Sequence, residues 1–357
     1  MNQKYANYFT TTFPMGFLAI LLLPFSAIYD LVTRFRNHLY NIGYKSSFSF
    51  QTNVIAVGNL SVGGTGKTPM VEYIIRLLSE KFQITTLSRG YGRKTKGYIM
   101  ATSDDSASSI GDEPYQFYHK FQKIHVAVCE DRALGIPFIL GDRPNTEIII
   151  LDDAFQHRSV KPQLNIMLTD YKRPFYDDFV LPSGRLRESR RGSGRADIIV
   201  VTKCPEGITH SEMDVITQKI KTYNYEAAVF FAGIKYGSLT AFKGSSELKS
   251  TVTAFSGIAK PQPFIDHLKA KYSLTAHIDF KDHYDYTIKD IQKLLTQLDQ
   301  NSSLVTTEKD MVKLLQPTFR EYLSNKSVYY LPIETYFIKD GKRFDAIIQN
   351  SISEYSN

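Results

Sequence analysis

Short apolar runs alternate with amphipathic segments along most of the chain, from about residue 53 onward. Six runs predict strands that are buried on both faces: Val54–Val57, Ile84–Ser88, His125–Cys129, Ile148–Leu151, Leu164–Leu168 and Ile198–Val201. Such strands are typical of a parallel sheet that is flanked by helices. The pattern therefore predicts an α/β fold with helices on both faces of a parallel sheet.

A second series of elements begins near residue 251. The pattern predicts, in chain order, strand Val252–Ser256, helix Pro261–Lys271, strand Ala276–Phe280, helix Ile288–Leu298, strand Ser303–Thr306, helix Lys309–Leu315 and strand Ser327–Leu331. Glu226–Leu239 is predicted to be an extended crossover, and Arg343–Ser353 a last amphipathic stretch that could pack on either half. We expect one domain over residues 46–232 and a smaller C-terminal α/β domain over 233–357, with a substrate cleft between them.

The N-terminal region has a different pattern. Residues 13–29 are nearly continuously apolar, but as a helix they would extend only about 26 Å, less than a hydrocarbon core of about 30 Å. From Ile28 the pattern is amphipathic, and basic residues follow, which the positive-inside rule places in the cytoplasm. A cleaved signal peptide and a buried core helix are alternatives. We expect residues 1–45 to form a membrane-associated helix.

Charge and cysteine content narrow the function classes. The 43 Lys and Arg residues against 36 Asp and Glu residues give a net charge of +7. This excess suits an anionic partner, such as a nucleotide, a phospholipid or a nucleic acid. Two cysteines in 357 residues exclude a disulfide scaffold and a zinc cluster built on cysteine, and indicate a reducing compartment.

The first predicted strand leads into the glycine-rich sequence GNLSVGGTGKTP, Gly58–Pro69, and a helical pattern follows. Strand, glycine-rich turn and helix are the context of a P-loop, in which backbone N–H groups surround a phosphate. Ser61 stands where the strict pattern has glycine, and the following glycine pair can supply the flexibility instead. We predict that a nucleoside triphosphate binds at Ser61, Val62, Gly63, Gly64, Thr65, Gly66, Lys67 and Thr68, with Lys67 on the β/γ-phosphates and the Thr68 hydroxyl on Mg²⁺.

Two further segments concern the nucleotide. Asp152 and Asp153 follow an apolar strand downstream of the P-loop, which predicts the Mg²⁺ side of the site. After the last strand of the first series, Thr202–Pro205 has proline where a GTPase has the carboxylate that pairs with guanine. ATP is therefore predicted rather than GTP.

An alcohol acceptor would need a base within hydrogen-bond reach of its proton. Gly111–Pro114 has the composition of a turn, which predicts that the carboxylates of Asp112 and Glu113 lie outside regular structure. Asp282-His283 follows a predicted strand of the second series. An aspartate and a histidine that meet across the cleft would form an oriented base.

Residues 182–195 contain five arginines within eleven residues, and glycines interrupt them. This composition predicts a segment too flexible and too basic for a packed element. It is either an anion-binding loop for ATP phosphates, a substrate phosphate or lipid headgroups, or a solvated basic loop. No aromatic residue is interleaved with the arginines, so we do not expect nucleic acid as a partner.

Taken together in order, nine motifs make the chain resemble the lipid A 4′-kinases (tetraacyldisaccharide 4′-kinases) of Gram-negative bacteria. The resemblance extends from the N-terminal apolar segment to about residue 315 and rests on Gly58–Pro69, Ser88–Arg93, Gly111–Pro114, Glu130–Arg132, Asp152–Arg158, Leu181–Glu188, Phe255–Ile258, Asp282-His283 and Thr307–Asp310. It implies transfer of the ATP γ-phosphoryl group to the 4′-hydroxyl of a tetraacylated glucosamine disaccharide 1-phosphate, giving lipid IV-A and ADP. It places this reaction at the cytoplasmic face of the bacterial inner membrane.

The resemblance also implies residue roles. Asp112 would be the base that takes the 4′-hydroxyl proton, and His283 its partner. Mg²⁺ would be held by Thr68, Asp152, Asp153 and Glu113. Side chains that face substrate or nucleotide would be Tyr91, Arg132, Gln156, His157, Arg187 and Glu188. Ala154 stands where many members have glycine, and we expect no loss of activity from the added methyl group. No protein partner is implied.

Two other functions remain open from the residues. A membrane-associated P-loop ATPase switch would hydrolyse nucleotide without any acceptor, whereas a lipid kinase would be nearly idle without one. A soluble small-molecule kinase would use the same loop and base but would leave the N-terminal segment without a purpose.

Overall fold

A computed structural model describes residues 17–242 and 245–352. Its helices are α1 Phe17–Leu21, α2 Leu23–Asn41, α3 Lys67–Leu78, α4 Ala107–Ile110, α5 Asp112–Lys120, α6 Arg132–Asp142, α7 His210–Lys221, α8 Gln262–Lys271, α9 Ile288–Thr296, α10 Glu308–Leu314, α11 Pro317–Leu323 and α12 Gly341–Asn350. Its strands are β1 Asn53–Asn59, β2 Ile84–Ser88, β3 Ile99–Met100, β4 Ile124–Val128, β5 Ile148–Asp152, β6 Leu164–Asp170, β7 Ile198–Thr202, β8 Ala228–Tyr236, β9 Thr240–Ala241, β10 Thr251–Ser256, β11 Ser273–Asp279, β12 Ser302–Thr307, β13 Val328–Leu331 and β14 Ile333–Phe337.

The larger sheet has nine strands in the order β14-β8-β7-β6-β1-β5-β2-β4-β3. Its central strands are all parallel, and only the edge strands β3 and β14 pair antiparallel. β1 lies between β5 and β6, so the P-loop that follows β1 and the aspartates that end β5 emerge at the same edge. Ligands bind at this carboxyl edge in open parallel sheets.

Both faces of the larger sheet are buried, because alternate residues of each strand enter different apolar clusters. On β1, Ile55 packs with α3 and α12, whereas Val54 packs on the opposite face with α6. The α/β fold with helices on both faces that the sequence predicted is confirmed.

The smaller sheet has five strands in the order β11-β10-β12-β13-β9, all parallel except β9. The chain then returns to the larger sheet. β14 pairs with β8, and Phe344 and Ile348 of α12 are buried in the cluster that contains α3. The last amphipathic stretch therefore packs on the first half. The predicted crossover contains β8, and the proposed boundary at residue 233 falls inside this strand; the division into domains stays a prediction.

Helix α2 lies against the loops at the carboxyl edge through a few polar contacts. Ser26 Oγ donates to Ser183 Oγ at 2.8 Å, and Asn37 Nδ2 donates to Glu188 Oε2 at 2.6 Å. Its apolar side chains point away from the body, and Leu31 is 69% exposed. Among the helices in the described ranges, none is both long and apolar enough to cross a membrane. Residues 1–16, which include the start of the apolar segment, lie outside the described residues.

Two local predictions are wrong. Asp112 and Glu113 do not lie outside regular structure but in the first turn of α5. Pro114 is tolerated there because the first N–H groups of a helix have no intrahelical partner, and carboxylates stabilise a helix N-terminus. The arginine-rich segment is also not a flexible loop. Arg190–Arg195 forms a short 3₁₀ helix with Gly192 and Ser193 buried, in which Arg190 donates to the Asp178 carbonyl and Arg195 to Glu188.

Candidate active site

The P-loop connects β1 to α3 at the carboxyl edge of the sheet. Gly66, immediately before α3, has a φ of 84°, a conformation that glycine adopts without strain. Asn59 Nδ2 donates to the carbonyl of Ser61 and to Thr65 Oγ1, both at 2.8 Å, and Thr202 Oγ1 donates to the Thr65 carbonyl at 2.7 Å. The loop is thus held in shape by side chains on both sides of it.

Lys203 is a further support of the P-loop. Its Nζ donates to the carbonyl of Gly64, and it pairs with Asp170 at 3.1 Å. The sequence had drawn attention to Thr202–Pro205 only for the identity of the base. The contacts of Thr202 and Lys203 place these two residues against the P-loop itself.

Asp153 lies between two cations. Lys67 Nζ is 3.4 Å from Asp153 Oδ1, and Arg187 Nη1 is 3.1 Å from both carboxylate oxygens. Burial alone would raise the pKa of Asp153, but Lys67 and Arg187 together lower it. Asp153 is therefore ionised at neutral pH.

Asp152 has a contrasting environment, because it is buried at the end of β5. Burial first, and then the charges of Asp153 and Glu113, raise the pKa of Asp152 to about 7 against the opposing effect of Lys67. Its Oδ1 is buried with no hydrogen-bond partner among the described residues. A buried carboxylate oxygen of this kind is suited to binding a cation.

Thr68, Asp153 and Glu113 are the other predicted Mg²⁺ ligands. The influence of Asp153 and Glu113 on Asp152 places the three carboxylates in one region. Over residues 17–242 and 245–352, however, no three His, Cys, Asp or Glu side chains are gathered closely enough to hold a metal ion by themselves. Oxygen ligands from phosphates and water, which Mg²⁺ retains in kinases, are compatible with such an open set.

Three of the predicted substrate-facing residues, Gln156, Arg187 and Glu188, lie in a network beside the P-loop. Gln156 Nε2 donates to the Asn59 carbonyl at 2.9 Å and to Glu188 Oε1 at 3.2 Å, and Arg187 donates to Gln156 Oε1 at 3.3 Å. Glu188 is 3% exposed and accepts two hydrogen bonds from Arg195, at 2.8 and 3.0 Å. Glu188 therefore links the arginine-rich segment to the P-loop and to α2.

Arg132 and His157 lie deeper than a surface contact would require. Arg132 is fully buried and donates to the carbonyls of Cys129, Glu130 and Asp152. Burial lowers the pKa of Arg132 to about 10, so it stays charged. Burial and the nearby Arg132 lower the pKa of His157 to about 4, so this imidazole is neutral at physiological pH.

The predicted base and its partner come together from different sheets. His283 Nδ1 lies 3.0 Å from Asp112 Oδ2. Gly111, with a φ of 96°, begins α5, and a Cβ there would lie 3.1 Å from the backbone of Gly90. Only glycine therefore lets the turn before Tyr91 approach the base so closely, and the Tyr91 ring lies 5.4 Å from that of His283, centroid to centroid.

Helix α10 supplies two lysines that the sequence did not single out, although its first residues belong to the TEKD motif. Lys309 Nζ lies 3.0 Å from His283 Nε2 and 3.5 Å from Glu113 Oε1. Lys313 Nζ lies 3.4 Å from Asp112 Oδ2 and is nearly buried. Their spacing of four residues puts both on one face of the helix, a signal that could have suggested a shared partner.

Lys309 fixes the hydrogen-bond direction within the pair. An ammonium group only donates, so His283 Nε2 accepts from Lys309 and the proton of the neutral ring lies on Nδ1, which donates to Asp112. Burial alone would raise the pKa of Asp112, but His283, Lys313 and Lys309 lower it. The carboxylate is thus ionised, with Oδ2 engaged by His283 and Lys313.

Positive φ angles at non-glycine residues also occur in the region of the site. Five non-glycine residues in the described ranges have positive φ, and three of them are Asp153, Lys203 and His283, at 50°, 56° and 56°. Such residues concentrate where a fold orients functional side chains.

The chain is similar to known proteins over nearly its whole length. The family model described as tetraacyldisaccharide-1-P 4′-kinase matches residues 18–353. The tetraacyldisaccharide 4′-kinase of Flavobacterium psychrophilum is 44% identical over 344 residues, 95% of this chain and 98% of that protein, and that of Cytophaga hutchinsonii is 41% identical over 96% and 98%. A crystal structure of the "apo" form of LpxK from Aquifex aeolicus in complex with ATP superposes with a TM-score of 0.74 at 30% identity, covering 94% of this chain and 100% of that one. The chain therefore belongs to the tetraacyldisaccharide-1-P 4′-kinase family, as its sequence motifs predicted.

Proposed function

We propose that the protein transfers the γ-phosphoryl group of ATP to the 4′-hydroxyl of a tetraacylated glucosamine disaccharide 1-phosphate, giving lipid IV-A and ADP. The observation that carries this proposal is the Asp112–His283 pair, 3.0 Å apart, in the same region as the carboxylates of Asp152 and Asp153. A nucleotide site alone would suit an ATPase. An oriented base next to it is what an alcohol acceptor requires.

In the proposed reaction the free Oδ1 of Asp112 takes the proton of the 4′-hydroxyl. The 4′-oxygen forms a bond to the γ-phosphorus while the bond from that phosphorus to the β,γ-bridging oxygen breaks, and ADP leaves. His283, which donates from Nδ1 to Oδ2, keeps the carboxylate oriented. Lys313 contacts the same oxygen, so both supporting groups leave Oδ1 for the substrate.

On the nucleotide side, the P-loop amides and Lys67 would bind the β- and γ-phosphates. Arriving phosphate oxygens would compete with Asp153 for Lys67 and Arg187. Mg²⁺, held by Asp152 together with Asp153, Glu113 and the Thr68 hydroxyl, would neutralise charge on the phosphates. The partnerless buried oxygen of Asp152 is the feature that supports this assignment.

The six residues that were predicted to face substrate or nucleotide divide into three groups. Tyr91, which is 69% exposed beside His283, would contact the acceptor sugar. Gln156, His157 and Arg187 surround Asp153 and the P-loop and would shape the path between donor and acceptor. Arg132 and Glu188 are buried, and we assign them the support of Asp152 and of the arginine-rich segment.

The lipid acceptor also requires a membrane-bound enzyme, because each CH₂ drawn into water costs about 0.8 kcal/mol. Leu31, Val32 and Phe35 of α2 are each at least 60% exposed on one face, although large apolar side chains are usually covered. This face would insert into the headgroup region on the cytoplasmic side of the inner membrane. The 3.2 Å hydrogen bond from the Tyr29 hydroxyl to the Arg187 carbonyl ties α2 to the catalytic edge.

The test is phosphate transfer from γ-labelled ATP in mixed detergent micelles, with and without the tetraacyl disaccharide 1-phosphate. We expect label in the lipid only when the disaccharide is present, and almost none with an Asp112→Asn variant. Free phosphate released at the same rate with and without the disaccharide would identify an ATPase switch. Equal transfer to a short water-soluble alcohol would identify a small-molecule kinase.

A further inference from the structure

Three helices that carry parts of the site meet again at a second, buried ionic cluster. Glu72 on α3, Lys120 on α5 and Glu308 on α10 form it, and we call it the Lys120 cluster. Lys120 Nζ lies 2.7 Å from Glu72 Oε2 and 2.7 Å from Glu308 Oε1. Glu72 is 1% exposed and Glu308 8% exposed.

Lys120 is charged within the cluster although burial of charge is costly, and burial together with Glu72 raises the pKa of Glu308. Burial alone would lower the pKa of Lys120, but Glu72 and Glu308 raise it. Gln116 also donates to Glu72 Oε1 at 2.8 Å. Two buried carboxylates that share a half-buried lysine add little net stability compared with apolar packing, so their presence favours a role in specifying geometry.

The cluster joins the two sheets. Glu72 and Lys120 belong to helices of the larger sheet, whereas Glu308 is the first residue after β12 of the smaller sheet. Val312 of α10 is buried against Ile110 and Tyr115 of the larger unit, so α10 packs along α5. Lys120 at the end of α5 and Asp112 at its start thus contact Glu308 and Lys313 of the same helix.

The position of α10 determines that of His283. Buried Asp310 of α10 accepts from Gly257 N at 2.9 Å, and His283 N donates to the Gly257 carbonyl at 3.2 Å. Tyr286 also donates to Asp310, at 3.0 Å. A shift of α10 relative to α5 would therefore carry His283, Lys309 and Lys313 away from Asp112.

We infer that Lys120 is a positioning residue, which fixes α10 on α5 so that His283 and the α10 lysines reach Asp112. It touches neither nucleotide nor acceptor in the proposed function, on which this inference rests. Loss of Lys120 is expected to lower kcat about 10- to 100-fold, since a displacement of about 1 Å at the reacting groups has an effect of that size. The KM for ATP should change less than about twofold, because the P-loop keeps its own contacts.

The experiment compares Lys120→Met with Lys123→Ala in the labelled-ATP transfer assay. Lys123 lies three residues after Lys120 and forms an exposed ion pair with Glu80. Its removal is therefore a matched control. Lys120→Arg should restore most of the kcat, because it keeps the charge between both carboxylates. Glu308→Gln, which leaves Lys120 and Glu72 in place, should lower kcat in the same direction, and the double variant Lys120→Met/Glu308→Gln should be no worse than Lys120→Met.

A distance measurement separates positioning from general loss of stability. Spin labels at Gln122→Cys and Gln292→Cys, both exposed, report the spacing of the two units, since Cys129 and Cys204 are buried. We expect a narrow distance distribution in the parent and in Lys123→Ala, and a shifted or broadened one in Lys120→Met. Wild-type kcat, or a lowered kcat with an unchanged distance distribution, would overturn the inference. Absence of transfer in the parent protein would instead overturn the proposed function.

Discussion

His283 Nδ1 and Asp112 Oδ2 lie 3.0 Å apart although 171 residues separate them in the sequence. Asp112 starts a helix of the larger sheet, and His283 lies in a loop of the smaller one. The base is thus complete only where the two units meet. Its chemistry depends on the packing between them as much as on either residue.

Asp112→Ala should lower kcat by about 10²- to 10⁴-fold with little change in ATP binding, because a general base acts in the chemical step. His283→Ala should be milder, since it removes an orienting partner. Single-turnover transfer and calorimetric ATP titration would measure both effects. If His283→Ala were the more damaging variant, the two roles would have to be exchanged.

Asp152→Asn should stabilise the ligand-free protein at pH 8 while abolishing transfer. With its pKa raised to about 7, the folded state holds a proton that the unfolded state has already lost, so wild-type stability falls as pH rises from about 4 to 7. The neutral amide of asparagine avoids this loss, so the variant should have a free energy of unfolding about 2–4 kcal/mol higher than wild type above pH 7. Urea unfolding at pH 8 tests this, with Asp104→Asn as an exposed control. If Asp152→Asn were less stable than wild type at pH 8, the burial that raises the pKa of Asp152 would be contradicted.

Glu188→Ala should lower the free energy of unfolding by about 1.5–3 kcal/mol, because it removes the buried carboxylate that pairs with half-buried Arg195, which keeps the Phe155 carbonyl as an acceptor. The midpoint of urea unfolding measures this. Glu80→Ala, which breaks an exposed pair with Lys123, should change the free energy of unfolding by less than about 1 kcal/mol. A large rise in the KM for the lipid with unchanged stability would show instead that Glu188 contacts the substrate.

The sequence predicted ten of the fourteen strands in the described residues to within a few residues, because buried parallel strands are continuous apolar runs. It gave β8 only as an extended crossover, and it did not predict β3, β9 and β14. It also predicted the P-loop, whose glycines and lysine follow from phosphate binding. It left open whether α12 packs on the first or the second half, and it did not predict the return of β14 to the larger sheet. That return depends on pairing with β8, a contact distant in sequence that no local pattern specifies.

The site was predicted less completely than the fold. Asp112 and His283 are brought together as expected, but the supporting lysines of α10 were missed, because an amphipathic helix with two lysines resembles any solvated helix. The burial of Arg132 was equally invisible, since only the folded backbone supplies the three carbonyls that bind it. The assigned role of each site residue stays a prediction.

His157 should make the protein less stable in mild acid. Its pKa is lowered from about 6.5 to about 4 in the fold, so between these values the unfolded state binds a proton that the folded state does not. Stability should therefore fall as pH decreases from about 6.5 to 4, by up to about 3 kcal/mol. A His157→Gln variant should lose this component of the pH dependence, measured by urea unfolding from pH 4 to 8. Parallel curves for the two proteins would contradict the burial of a neutral imidazole.

Leu31→Ser/Phe35→Ser should weaken binding to vesicles that contain anionic phospholipid by at least about 10²-fold. Burial of each of these exposed side chains in the membrane would contribute about 1.5–3 kcal/mol to binding. The fold should be unaffected, because neither side chain packs on the body of the protein. Leu248→Ser, at an exposed leucine outside α2, is the control and should bind as the parent does. Equal flotation of all three proteins would mean that α2 does not dock on the lipid surface, and transfer in micelles would then have to depend on another apolar face.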